Sequence, residues 1–305
     1  MNRFSPRALE YLNAIDRFGT LRKAAVRLSV DPSAISRLLS QLEQDVGMPV
    51  WERRPPHAQI TPAGRELLDY YRQMQSSEEA TLSRLNALQN LNQGKVSLAV
   101  GEGFIADLIS QPLQNFLAEY PGIELSIEMA GASEALRLIE SFQIDFAITY
   151  ASTEAPFLHT HVEIDQPLNL IVPPGHPLGQ SAGPVDFRET ADFPSALIDR
   201  STGMGRLIST MEEVTRTSLM PKLRTNSVSV LKNFVTSGIG ISFMPSLTVH
   251  DEIEAGLIQA LPIDHSIMQS AQARLVSHNQ REPTLAAQTL MQYLHHNMQF
   301  LRRTM

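Results

Sequence analysis

Asp31-Pro32-Ser33-Ala34-Ile35-Ser36-Arg37-Leu38-Leu39-Ser40-Gln41-Leu42 decides how the first part of this chain folds. At 100° per residue, Ile35, Leu38, Leu39 and Leu42 gather in one apolar stripe, while Ser33, Ser36, Arg37 and Ser40 gather opposite it. Asp31 offers an N-cap oxygen, and Pro32 suits the first helical position, where a missing N–H costs nothing. A helix face carrying three small hydroxyls and one arginine lets the backbone approach a flat polar surface closely. The major groove of DNA is such a surface.

Upstream, Thr20 caps a predicted helix over residues 21–28, and the pair Ala24-Ala25 lets another helix pack closely on it. Ser29 and Val30 make a brief turn, so the two helices predict a helix-turn-helix with Arg22, Lys23 and Arg27 near the duplex backbone. The same pattern suits an ordinary helical hairpin with solvated charges, and context has to separate the two. Downstream, residues 49–52 and 58–61 predict two short strands around a tip of Arg53, Arg54, Pro55, Pro56 and His57. That is a wing offering two guanidinium groups to phosphates or the minor groove. Thr61-Pro62 repeats the cap-then-proline signal and starts another helix.

The string Ala24-Ala25, Leu28, Ser33-Ala34-Ile35-Ser36-Arg37, Leu42-Glu43, Gly47, Val50, Glu52-Arg53, Thr61-Pro62-Ala63-Gly64 resembles the winged helix-turn-helix of LysR-type transcriptional regulators. One departure matters. The family usually opens its recognition helix with a Ser-Gln pair, and Asp31 and Pro32 stand at those positions. Neither supplies a bidentate amide, so base reading is expected to fall to Ser33, Ser36, Arg37 and Ser40.

At 305 residues, the chain is long enough for two or three domains, and it has no cysteine for disulfide or thiolate chemistry. Its net charge of −7 divides unevenly: residues 1–65 carry 10 Lys+Arg against 6 Asp+Glu, or +4, and the remainder carries 15 against 26, or −11. A basic module is tethered to an acidic one, so attraction to DNA is local. The first ten residues lack an apolar signal core, and the weakly polar run 238–249 is too short to span a bilayer. A soluble cytoplasmic protein is expected.

Nothing breaks a helix between residues 63 and 91. Leu67, Leu68, Tyr71 and Met74 form one apolar patch, and Leu82, Leu85, Leu88 and Leu91 another. Such a helix has little to bury against in its own domain, and pairing with a second copy in coiled-coil fashion covers it, although a surface helix on a core also fits the imperfect repeat. The resemblance implies the former, as a linker that dimerises two DNA-binding heads, with tetramers common.

Beyond Asn92-Gln93-Gly94 the pattern becomes strand and helix in alternation: strands at 95–100, 123–129 and 146–150, helices at 104–119 and 134–142. A second set has strands at 168–172, 195–199, near 223–225 and at 239–244, with helices at 204–216 and 228–237. Residues 272–277 and 284–297 return to the first set. This spacing predicts parallel α/β sheets in two tandem lobes. Asp145-Phe146-Ala147-Ile148, the turn 173–178 and the run 235–241 followed by Pro245 resemble the effector-binding domain of the same family, itself like a periplasmic binding protein. The predicted organisation is a winged head at 1–62, a dimerisation helix at 63–92, lobe I at 93–164 plus 267–305, and lobe II at 165–266.

Ligands of open α/β sheets lie beyond the carboxyl ends of strands, where helix N-termini present free N–H groups. That rule selects Glu102, Gly103, Phe104, Ser133, Tyr150, Thr202 and Asn226 as effector contacts. Ser133, Thr202 and Asn226 equally suit helix caps, and Phe104 suits a core. A Glu102 facing the cleft would repel an anion, which favours an effector that is neutral or carries an amine.

Gly101-Glu102-Gly103-Phe104-Ile105-Ala106 also matches G-x-G-x-x-A, with Glu124 and Glu128 near the spacing of a ribose-binding acid. Nucleotide binding therefore stands as an alternative, as does a solute sensor whose N-terminal helices serve protein partners. Against a dinucleotide, Glu102 would crowd a pyrophosphate. His159 and His161, His176, and His295-His296 lack the neighbours of a metal site. Neither a Gly-x-Ser-x-Gly elbow nor a Walker loop occurs, so no enzyme, cofactor or metal is expected. The expected partners are double-stranded promoter DNA, a small-molecule effector, a second copy of the chain and RNA polymerase, with no membrane.

Overall fold

The computed structural model describes residues 4–54, 57–88, 93–180 and 183–302. The chain divides into two compact units between Glu79 and Ala80.

The first unit begins with helices α1 (Pro6–Phe18), α2 (Leu21–Leu28) and α3 (Pro32–Val46). Their boundaries follow from local chemistry. Thr20 accepts from the Lys23 N–H at 3.2 Å, Asp31 accepts from the Ser33 N–H at 2.8 Å, and Gly19 and Gly47 end α1 and α3 in the left-handed conformation. Ala24 and Ala25 are buried against Leu9, Leu12 and Ile15 of α1 and Ile35, Leu39 and Leu42 of α3. Each fully buried Leu or Ile contributes about 1.5–3 kcal/mol relative to exposure.

Strands β1 (Trp51–Arg54) and β2 (His57–Ile60) pair antiparallel, Trp51 opposite Ile60 and Arg54 opposite His57. Arg53, Arg54 and His57 thus belong to the strands rather than to the tip, which narrows to Pro55-Pro56. Those two prolines, and the side chains of Arg53 and Arg54, lie outside the described residues. Helix α4 (Pro62–Leu88) follows. Its opening is fastened by Thr61, whose hydroxyl donates to the Pro49 carbonyl at 2.8 Å and accepts from the Gly64 N–H at 3.1 Å. Gly64 is required there because a Cβ would stand 2.0 Å from the Val50 carbonyl oxygen. Contrary to expectation, the first apolar patch of α4 is not left for a partner: Leu67, Leu68 and Tyr71 are buried in this unit's own core. Leu82 and Leu85 are exposed, while the Leu88 side chain and Leu91 lie outside the described residues.

Among the described residues, the second unit holds a five-stranded sheet, a three-stranded sheet and a two-stranded pair. The larger sheet is built from β3 (Gln93–Val100), β4 (Gly122–Met129), β5 (Phe146–Tyr150), β6 (Leu158–Asp165) and β12 (Gln272–His278), in the order β4-β3-β5-β12-β6. Helices α5 (Ile105–Ile109), α6 (Pro112–Glu119) and α7 (Ala132–Glu140) connect its first strands. The smaller sheet places β7 (Leu168–Val172) between β10 (Ser242–Pro245) and β11 (Gln259–Leu261), and β8 (Ala196–Ile198) lies parallel to β9 (Leu223–Thr225). A bridge from Ser195 to Ile241 joins the two strand sets. Helices α8 (Gly203–Thr215), α9 (Val228–Thr236), α10 (His250–Glu254) and α11 (Ser266–Gln269) belong to this half, and α12 (Leu285–Asn297) returns to the larger sheet.

The larger sheet is mixed, not parallel. β3 runs parallel to β4 and β5, but β12 enters antiparallel between β5 and β6, and β7 pairs antiparallel with both neighbours. Alternation sorts its faces: Ala99, Ala147 and Val276 meet α7, whereas Leu98, Val100, Ile148 and Leu275 share the other core with Leu290 and Leu294 of α12. The single helix expected at 104–119 is broken. A 3-10 turn at Glu102–Phe104 leads into α5, and Pro112, which has no N–H to donate, restarts the chain as α6. The strand expected from residue 239 begins at Ser242, because Gly238 turns left-handed and Ile239 faces solvent.

Candidate DNA-reading face and effector cleft

On α3 the apolar stripe points inward, leaving Ser33, Arg37 and Ser40 exposed and Ser36 half-buried. Hydrogen bonding from Ser33 holds the Asp31 carboxyl below the usual carboxylate range, so the helix opens on a charged cap. Arg22 and Lys23 are exposed on α2 and form no ion pair among the described residues. Arg27 is less free, with its guanidinium 5.8 Å from the Phe18 ring centre. The wing is anchored at its base: Glu43 accepts from the Val50 N–H at 3.0 Å, and Ala58 donates to the Gly19 carbonyl at 2.8 Å. The quoted residues Glu43, Val50, Thr61 and Gly64 are therefore the joints that hold β1, β2 and α4 to α3.

The second unit contains a cavity of about 320 Å³. Glu102, Gly103, Phe104, Tyr150, Thr202 and Asn226 all line it, so residues scattered over 125 positions converge as the strand-end rule predicts. Ser133 does not line it. Its hydroxyl donates to the Ser201 carbonyl at 3.2 Å and accepts from Arg206 Nη1 at 2.9 Å, while Arg206 Nη2 reaches the Ala151 carbonyl at 3.2 Å. These bonds tie α7 and the end of β5 to α8 beside the cavity.

Several lining groups are already engaged. Tyr150 lines the cavity, but its hydroxyl donates to the Gln166 carbonyl at 2.7 Å, and burial pushes the phenol far above its ordinary value. Thr202 caps α8, accepting from the Gly205 N–H at 3.0 Å. Phe104 packs edge-on against Phe300 with ring centres 4.6 Å apart. Asn226 is not a cap, since Ser227 occupies that position of α9.

Glu102 departs most from expectation. Its Oε2 accepts from the Val228 N–H at 2.7 Å, and its Oε1 accepts from the Ser229 N–H at 3.1 Å and from the Ser227 and Ser229 hydroxyls at 3.0 Å each. The carboxylate thus supplies the side-chain cap that α9 does not make with Ser227, and it neutralises the positive end of that helix. Burial opposes its ionisation, but the four donors prevail and hold its carboxyl below the usual range. It is therefore a bonded anion on the cavity wall and not a free one. The glycine pattern around it leads into a 3-10 turn, and the five-residue α5 that follows is short for the helix on which a pyrophosphate rests.

Sequence reasoning missed Thr248, Met204 and Phe300 on the cavity wall. Thr248 follows the quoted Pro245 by three residues, which was a usable signal. Phe300 is brought in by the Asp107 carboxylate, which accepts from the Phe300 N–H at 3.0 Å, and nothing local announces it. His159 and His161 sit on β6 with rings 4.5 Å apart, and His161 Nε2 lies 2.8 Å from Ser277 Oγ. Among the described residues, no group of three or more His, Asp or Glu is placed to hold a metal ion, and no helix is long and apolar enough to cross a membrane.

Residues 6–65 match the model of the bacterial regulatory helix-turn-helix proteins of the lysR family, and residues 89–299 match the LysR substrate binding domain. A probable RuBisCO transcriptional regulator of Synechocystis is 25% identical over 261 residues, covering 84% of this chain and 75% of its own. The crystal structure of ArgP from Mycobacterium tuberculosis superposes with a TM-score of 0.72 at 18% identity and covers 99% of both chains. The regulatory domain of Synechocystis CcmR, solved in complex with 2-PG, gives 0.61 at 21% identity and covers 70% of this chain and 100% of its own. With both halves matched in one chain, the protein belongs to the LysR family and is a DNA-binding transcriptional regulator with an effector-binding domain.

Proposed function

We propose that this regulator reads an operator through Ser33, Ser36, Arg37 and Ser40 of α3, with Arg22, Lys23, Arg53 and Arg54 contributing charge along the phosphates. The observation that carries this reading is the sorting of α3, buried at Ile35, Leu39 and Leu42 and exposed at Ser33, Arg37 and Ser40. Two copies, paired through α4 and its exposed Leu82 and Leu85, present two heads to successive major grooves. The target is a near-palindrome with half-sites about one helical turn apart. Homodimers or homotetramers are the working form, RNA polymerase is a partner at the promoter, the site of action is the cytoplasm, and no catalytic step is assigned.

The cavity bounded by Glu102, Gly103, Phe104, Tyr150, Thr202 and Asn226 takes a small-molecule effector, with Ser133 acting at its rim through Arg206. The boundaries 1–62, 63–92, 93–164 with 267–305, and 165–266 describe head, linker and two lobes. CcmR, which binds 2-PG in a domain of this fold, supports a small polar ligand here. The effector acts by favouring one placement of the lobes, and hence of the paired heads, through differential affinity for the two states.

Fluorescence anisotropy tests this reading. An operator is first selected from random duplexes with the full-length protein, and metabolites are screened by thermal shift on the same protein. A metabolite that raises the melting temperature should also change operator affinity, and Arg37→Ala should weaken the operator more than random DNA. Equal affinity for all duplexes at every salt concentration would overturn it.

A further inference from the structure

Three helix N-termini open on the cavity: α7 at Gly131-Ala132, α8 at Gly203-Met204 and α9 at Val228. The α9 end is filled by the Glu102 carboxylate with its four donors. The other two are open. α7 has no side-chain cap, and Thr202 satisfies only the Gly205 N–H of α8, leaving those of Gly203 and Met204 without a partner among the described residues. The two open ends adjoin each other, since a Cβ on Gly131 would lie 3.7 Å from the Thr202 methyl.

A second, independent feature points to a ligand in the same cavity. Thr248 is only 6% exposed and lines the wall, and its hydroxyl has no partner among the described residues. That oxygen lies 3.2 Å from where a Cβ on Gly103 would sit. A ligand atom in the cavity can take the bond that this hydroxyl does not make within the protein. Asn226, which is exposed, also lines the cavity, and its carboxamide has no partner among the described residues.

We propose that Glu102 is a resident anion that sets the charge of the effector, so that the cleft takes a molecule with one carboxylate and an uncharged polar body. The ligand carboxylate occupies the corner between α7 and α8, where two helix ends supply N–H groups and positive potential. Thr248 and Asn226 hydrogen-bond its uncharged body. A second carboxylate reaching for α9 meets the Glu102 charge already there, and like charges in a partly desolvated site repel strongly. Glu102 thereby determines specificity by occupation, closing to a dianion the place that would otherwise bind its second end. This rests on the cleft being the effector site.

The test uses full-length wild type and Glu102→Ala, with acetate, butyrate and succinate as probes at matched ionic strength. Glu102→Ala removes a carboxymethyl group the size of acetate, so acetate should raise the melting temperature of the variant saturably and by more than that of wild type, which keeps only the α7–α8 seat. The ratio of succinate to butyrate affinity, measured by calorimetry, should rise about tenfold or more from wild type to variant, because one repulsive charge becomes an attractive seat. If Glu102→Ala does not fold, Glu102→Gln keeps the shape without the charge, and the same ratio should still rise. No acetate rescue in a folded Glu102→Ala protein, or an unchanged ratio in the variant measured, including no binding of either probe, overturns the inference. Acetate rescue with the altered ratio, but with operator affinity that no cleft ligand changes, supports it while overturning the gated reading above.

Discussion

Gly203 lies so close to Tyr150 that a Cβ on the glycine would stand 1.8 Å from the tyrosine carbonyl oxygen. Tyr150 ends β5 of the larger sheet and Gly203 opens α8 of the other half, so a hydrogen in place of a side chain sets how closely the halves approach beside the cavity. Gly203→Ala should push them apart and cost about 1–3 kcal/mol, as overpacking does. Urea unfolding measures the cost, and amide exchange at Ala151 and Ser152 locates it. Wild-type stability and exchange would show that the approach is not tight.

Arg281 and Asp145 form an ion pair at 2.8 Å, with side chains 8% and 6% exposed. Asp145 also accepts from the Ser97 N–H at 2.7 Å, and Arg281 donates to the Ile144 carbonyl at 2.8 Å. Burial pushes the Asp145 carboxyl up, and Arg281 pulls it back only in part. Arg281→Met should therefore leave a buried carboxylate uncompensated and destabilise the effector half by about 3–5 kcal/mol. A change within error in chemical denaturation would count against a structural role for the pair.

The Glu102 cap has a definite pH dependence. Its folded pKa lies below the ordinary 4.5, so its stabilisation is complete above that value and is lost as pH falls through the lower folded value. Wild type should exceed Glu102→Gln in melting temperature at pH 7, and the gap should close as both are acidified. A gap that widens in acid contradicts the assigned sign.

Leu82 and Leu85 are 53% and 52% exposed on α4 and lie one helical turn apart. Replacing both with Asp should convert a dimer to a monomer in light scattering at micromolar concentration, with helicity little changed. An unaltered mass would place the interface elsewhere.

Arg37 and Arg53 should separate base reading from phosphate attraction. Arg37→Ala is expected to cost about 1–3 kcal/mol on the preferred operator and relax the choice of sequence, and Arg53→Ala to weaken all duplexes alike and lower the salt slope by about 1. If Arg53→Ala leaves the slope untouched, the wing does not contact phosphate.

Much of the architecture was legible along the chain. Helices α2 and α3 were readable because Thr20, Asp31 and Pro32 act within one turn of their own positions, and β5 and β7 because each is a short, mostly apolar run. The break between α5 and α6 was not read, although Pro112 marks it, because the apolar periodicity runs through it. The antiparallel entry of β12 was not, because apolar alternation sorts faces without fixing strand direction, and direction here depends on a chain returning from the other half.

By itself, the sequence determined a hydroxyl-and-arginine face on a capped helix, a basic head tethered to an acidic body, and two sets of strands whose ends collect the cavity residues. These follow from periods and caps spanning a few residues. Only the tertiary structure decided what Glu102 does. Locally it reads as an acid beside its own helix start, free to repel an anion, yet folding carries it to a different helix 125 to 127 residues further on, where four donors hold its charged carboxylate in place. Ser133 was likewise drawn to Arg206 and Phe300 to the cavity wall. Hydrogen bonds and packing at that separation depend on where the backbone returns, and residue order does not encode that locally.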